Sequence, residues 1–135
     1  MVVVEKDGII RIIPFIVDSY GWIEYFAGGK LADRYGRYIE ASEEMILPTI
    51  IIHEVYKKLK SCIGEEAALE AYAHMLNTRI VSLTEDIALK AADISLASGL
   101  AMVDAIIYAT AIDNNAKLIT SDPHLKKLEN VTFIE

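Results

Sequence analysis

The segment MVDAIIYATAIDNNAKLITSD, residues 102–122, sets the fold class. Met102 to Asp113 reads as an almost wholly apolar helix. A short polar turn follows, and Lys117 to Thr120 reads as a strand. A helix that is apolar on most sides is a buried one. Yet this helix opens with a carboxylate, Asp104, and the strand runs straight into another, Asp122. Burying a lone carboxylate costs several kcal/mol, so each must be capped, paired or bound to a cation.

The same alternation extends outward in both directions. Towards the C-terminus, Val131 to Ile134 reads as a last strand. Towards the N-terminus come a helix over Thr84–Ser98, a strand over Arg79–Leu83 and helices over Glu65–Asn77 and Thr49–Cys62. Met45–Leu47 is a short strand, Lys30–Glu40 and Ser19–Ala27 are helices, and the β-branched run Ile9–Val17 reads as one buried strand. Pro14 is awkward in that run and points to an irregular or edge-exposed start. The first ten residues carry no assignable role. Short strands alternating with helices of about ten residues or more indicate an α/β fold, a parallel sheet covered on both faces. In such sheets ligands bind beyond the carboxyl ends of the strands.

Size and charge narrow the classes. A chain of 135 residues, 53% of them hydrophobic, can bury one core, so residues 1–135 are expected to form a single domain. One cysteine, Cys62, excludes an internal disulfide and any multi-cysteine metal site. No apolar run reaches the ~18–20 residues of a membrane span. The start does not look like a signal peptide. A soluble, cytoplasmic protein is expected. The net charge of −7 argues against broad electrostatic attraction to nucleic acid. It leaves room for an acidic metal site.

Four carboxylates stand where a solvated surface explains them least. Asp18 directly follows the first strand, where it is either a helix N-cap or a group facing the sheet's crevice. Glu54 lies one turn into its helix at the margin of the apolar stripe, either paired with Lys58 or turned to the site. Asp104 is an N-cap or a ligand. Asp122, before Pro123, is an Asx-turn or a ligand, with Thr120 and Ser121 beside it. Two unit charges 4 Å apart repel by ~4 kcal/mol at an effective dielectric of 20. A cluster of acids therefore needs protons or a hard divalent cation.

The ordered set IVDS (16–19), HE (53–54), MVDAIIYATA (102–111) and LITSD (118–122) resembles the PIN domain, and within it the small VapC-like toxins. The resemblance spans the chain, with 102–122 its most specific part. It implies a three-layer fold with a central, mainly parallel sheet flanked by helices. It also implies a metal-dependent endoribonuclease, the toxin of a toxin–antitoxin pair. In that reading Asp18, Asp104 and Asp122 hold Mg²⁺ or Mn²⁺ and Glu54 acts on the attacking water. Ser19, Thr120 and Ser121 support them. RNA is the substrate, and a second copy of the chain and a small antitoxin are the partners. One departure is visible: where many members carry a further acid after the last motif, this chain has His124.

Other readings fit less well. A haloacid-dehalogenase-like phosphatase needs a second Asp where Tyr20 stands, and a phosphoacceptor receiver needs a lysine later than Lys117. A PIN-like module that binds protein or RNA without catalysis is the alternative. His53, His74 and His124 lack zinc spacing. Lys57, Lys58 and Lys60 read as a solvated face or, because they lie on the helix of Glu54, as a contact for RNA backbone. Tyr35 and Tyr38, with Arg34 and Arg37, either line a partner groove or cover a polar helix.

Overall fold

Parallel pairing of short apolar strands organises the molecule. The computed structural model describes all 135 residues. The strands are β1 (Val2–Val4), β2 (Ile10–Ile12), β3 (Phe15–Val17), β4 (Ile46–Pro48), β5 (Arg79–Val81), β6 (Lys117–Thr120) and β7 (Val131–Phe133). The helices are α1 (Ser19–Ala27), α2 (Ala32–Ile39), α3 (Thr49–Cys62), α4 (Glu65–Met75), α5 (Glu85–Ser98) and α6 (Met102–Asp113). β6 lies between β3 and β7, parallel to both, with Ile16 opposite Leu118 and Ile119 opposite Thr132. β4 pairs with β5 in parallel, and a parallel bridge from Phe15 to Met45 brings that pair alongside β3. The α/β class and the parallel centre are therefore as expected from the alternation.

One expectation fails. Ile9–Val17 is not one buried strand. Pro14 divides it, because proline has no N–H to give a ladder. Before the break, β2 turns back on β1 as an antiparallel hairpin, with Val2 opposite Ile12 and Val4 opposite Ile10. Ile10 and Ile12 are 67% and 72% exposed, whereas Phe15, Ile16 and Val17 are at most 1% exposed. The unassigned first residues are thus the other half of a hairpin.

The core runs through both faces of the parallel sheet, from Ile16, Leu118 and Ile119 to Trp22, Ile51, Leu59, Met75 and the middle of α6. Every residue from Ala105 to Ala111 is buried. Trp22 stacks on Phe26 and meets His74 edge-on, so these aromatics serve the core. The Nε2 of His74 hydrogen-bonds with the Ile39 carbonyl at 2.9 Å, which gives it a structural role.

Three helices begin at the same sheet edge for a topological reason. α1 follows β3 directly and α3 follows β4 directly, so both start at carboxyl ends of strands. α6 packs back along the sheet and enters β6 through a short turn, which carries its own N-terminus to that edge as well. Positive helix ends therefore gather where the acids are, and a helix N-terminus favours negative charge.

Candidate acid-lined site at the carboxyl edge of the sheet

Asp18, Glu54, Asp104 and Asp122 all line one cavity of about 710 Å³, together with Ser19 and Ser121. Each acid arrives by a different local route. Asp18 caps α1: its Oδ1 accepts the Gly21 N–H at 2.9 Å and its Oδ2 accepts the Thr120 hydroxyl at 2.5 Å. The cap and the cavity position are thus one arrangement, since the second oxygen turns toward β6. Gly21 is needed for this packing, because a Cβ there would lie 2.5 Å from the Tyr35 ring.

Glu54 makes no ion pair with Lys58. Its carboxylate accepts instead from the Ser19 hydroxyl, which joins α3 to the start of α1. Asp104 is not an N-cap. Ala101 occupies that position, and Asp104 sits in the first turn of α6. Asp122 combines both of its readings: Oδ1 accepts the His124 N–H and contacts the His124 Nδ1, each at 2.9 Å, while the residue still borders the cavity.

The hydroxyls divide their labour. Thr120 is fully buried; it donates to Asp18 and accepts the Asp122 N–H at 3.0 Å, so both of its hydrogen-bonding functions are committed. Ser121 accepts from the Tyr35 hydroxyl at 2.8 Å, which leaves its own proton available to the cavity. Tyr35 is wholly buried beneath the site rather than lining a groove. Its role was hidden in sequence among the polar residues of α2, although Leu31, Tyr35 and Ile39 have the spacing of one helical face.

Charge is concentrated here with little to balance it. Burial is the main cause that raises the Asp18 carboxyl to about 6, and the Asp122 and Asp104 charges add to it. Hydrogen bonds from Thr120 and Gly21 oppose that rise. Asp104 is also raised, first by burial and then by Asp122 and Glu54, with His124 opposing. A desolvated anion beside other anions is stabilised by a cation. The donors are hard oxygens, which match Mg²⁺ or Mn²⁺ rather than a soft metal. No three acidic, imidazole or thiol groups close into a ready-made cage. The donor set suits an ion that keeps several waters and takes one or two carboxylates directly.

The rim carries features that the sequence did not reveal. Tyr20, Leu31, Phe133 and Glu135 also border the cavity. Lys126 lies 4.7 Å from the Phe133 ring centroid and 3.3 Å from the Glu135 carboxylate.

The PIN domain family model matches residues 15–131. Among curated proteins, none matches the chain in sequence. Several solved structures share the fold. A toxin–antitoxin complex from Klebsiella pneumoniae aligns with a TM-score of 0.74 and 23% identity, over 87% of this chain and 95% of that one. VapC20 from Mycobacterium tuberculosis, described as a sarcin–ricin-loop-cleaving toxin, aligns with a TM-score of 0.67 and 19% identity, over 76% and 85%. VapBC2 from Rickettsia felis, bound to a promoter DNA fragment, aligns with a TM-score of 0.69 and 16% identity, over 90% and 98%.

Proposed function

The chain belongs to the PIN domain family, and on that premise we propose that it is a Mg²⁺- or Mn²⁺-dependent endoribonuclease, the toxin of a toxin–antitoxin pair. The observation that carries this reading is the convergence of Asp18, Glu54, Asp104 and Asp122 on one cavity. Asp18 is buried and the other three acids are half-buried beside it, and carboxylates gathered in this way repel one another and oppose folding unless a cation or protons offset their charge.

In this reading Asp18, Asp104 and Asp122 hold the ion, directly or through water. When bound, the ion supplies Lewis acidity and makes water a nucleophile at neutral pH. The chain does the rest. Glu54 keeps one oxygen occupied by the Ser19 hydroxyl, which leaves the other to take a proton from the attacking water. Ser121 donates its free hydroxyl proton to a phosphate oxygen. Thr120 fixes the rotamer of Asp18 and does not touch the substrate. The cavity admits the scissile phosphate of RNA, and hydrolysis breaks one phosphodiester bond.

The same reading assigns two protein partners, a second copy and a small antitoxin. The antitoxin would insert an Arg or Lys among the acids, because such a charge-assisted contact replaces that of the ion. A labelled RNA pool incubated with Mn²⁺ tests the enzyme reading. Cleavage that EDTA stops supports it. Tight partner binding with no cleavage in either Mg²⁺ or Mn²⁺ favours a non-catalytic binding module instead.

A further inference from the structure

The acid cavity is the middle of a longer groove. On one side it shares Phe133, Ile134 and Glu135 with a cavity bordered by Arg34, Arg37 and Tyr38. On the other it shares Ser19 and Glu54 with a cavity bordered by Lys57 and Lys58. That cavity in turn shares Lys57 with a third, which adds Tyr56 and Lys60. Five cations of a chain with net charge −7 therefore flank the acids, none of them mixed in among the four.

Their environments make them available. Arg34, Arg37, Lys57 and Lys58 are exposed and take part in no ion pair. Lys60 is the exception: its ammonium lies 5.4 Å from the Tyr56 ring centroid and donates to the Glu65 carboxylate at 3.5 Å, an exposed ion pair that solvent screens. At the junction on the arginine side, Lys126 neutralises Glu135. An acidic floor alone repels a polyanion, whereas flanking cations hold the phosphates on either side of it. Half-buried Tyr38 and Tyr56 provide a ring on each side. Basic grooves with interspersed aromatic rings track single strands, whose bases are free to stack.

We propose that this groove binds one RNA strand laid across the acid cavity, its backbone held by Arg34 and Arg37 on one side and by Lys57, Lys58 and Lys60 on the other. The inference rests on the ribonuclease reading, but its test needs no catalysis.

The probe is a fluorescent single-stranded RNA of about twelve nucleotides, enough to span the groove. Its binding to the full chain is followed by anisotropy in EDTA over a range of salt. Each phosphate contact on a single strand contributes ~0.7 to the slope of log affinity against log salt. Lys57→Ala/Lys58→Ala and Arg34→Ala/Arg37→Ala are each expected to flatten that slope by about 1.4 and to weaken binding roughly tenfold. Lys57→Arg/Lys58→Arg is expected to keep the slope, which loss of a structural contact would not explain. The proposal is overturned if both alanine pairs bind with unchanged affinity and slope, or if the parent chain binds no RNA. Displacement of the RNA by polyglutamate of equal charge also overturns it, as the surface is then a general polyanion patch. The two readings fail separately: salt slopes as expected without Mn²⁺-dependent cleavage remove the nuclease and keep the strand path.

Discussion

Two β-rich regions of this chain have similar compositions and opposite fates. The N-terminal hairpin is built from Val2, Val4, Ile10 and Ile12, and these side chains face solvent. Three residues later, Phe15, Ile16 and Val17 are sealed between β6 and the helices and lead into a buried carboxylate. Hydrophobicity does not separate the two. Neighbours do: β3 has β6 on one side and the bridge to Met45 on the other, while β1 and β2 have only each other. An isolated two-stranded hairpin is marginal in water. The interior strand has stability enough to hold an unfavourable charge at its end, and the hairpin carries no such charge. The family match begins at residue 15, on the interior side of that divide.

If the interior edge is the working region, the largest effect belongs to its acids. Glu54→Gln is expected to lower RNA turnover by ~100-fold or more, the size of a lost general base. Mn²⁺ affinity, measured by calorimetry, should fall much less. A parallel loss of both would move Glu54 into the ion's own ligand set.

The second effect is a stability signature of Asp18. Its folded pKa of about 6 exceeds the free value of 3.8. The contribution to stability is therefore fully present below pH ~4 and is lost as pH rises through 6, amounting to about 3 kcal/mol. In metal-free urea titrations, Asp18→Asn should be more stable than the parent at pH 7 by up to that amount. The two should converge near pH 4. A gap independent of pH would assign the effect to packing instead.

A smaller change is expected at Thr120. Thr120→Val keeps the shape but leaves the Asp122 N–H without its Thr120 acceptor and the Asp18 Oδ2 without its donor, while Oδ1 keeps the Gly21 N–H. A cost of about 2 kcal/mol follows, read from the denaturation midpoint. The smallest effect belongs to the hairpin: Val4→Thr with Ile10→Thr should shift stability by less than ~0.5 kcal/mol per site and leave RNA cleavage alone. A large loss there would show that the hairpin is buried in an assembly.

Much of this division was legible in the sequence. Asp18 and Asp122 were visible because each ends an apolar strand, and Asp104 because it opens an apolar helix. Their convergence follows from parallel topology alone. Hidden were the contacts that orient them. Ser19 meets Glu54 across 35 residues and Thr120 meets Asp18 across 102, and no periodicity reports such pairs. The hairpin was hidden for a different reason. A continuous β-branched run has the same pattern whether a second layer covers it or not, and only Pro14 marked the change. Lys57, Lys58 and Lys60 read mainly as a solvated face; Glu54 on their own helix was the one pointer toward the acid cavity, and the cavity wall that Ser19, Met102 and Val103 complete from other elements was hidden.

The central claim is that the acids at the interior sheet edge hold a divalent ion on which RNA cleavage depends. Cleavage of one labelled RNA by the parent chain and by Asp18→Asn, each with Mn²⁺ and with EDTA, tests it most directly. The account predicts products only for the parent with Mn²⁺, and a folded but silent Asp18→Asn. Cleavage by Asp18→Asn at the parental rate, or cleavage that persists in EDTA, would contradict it.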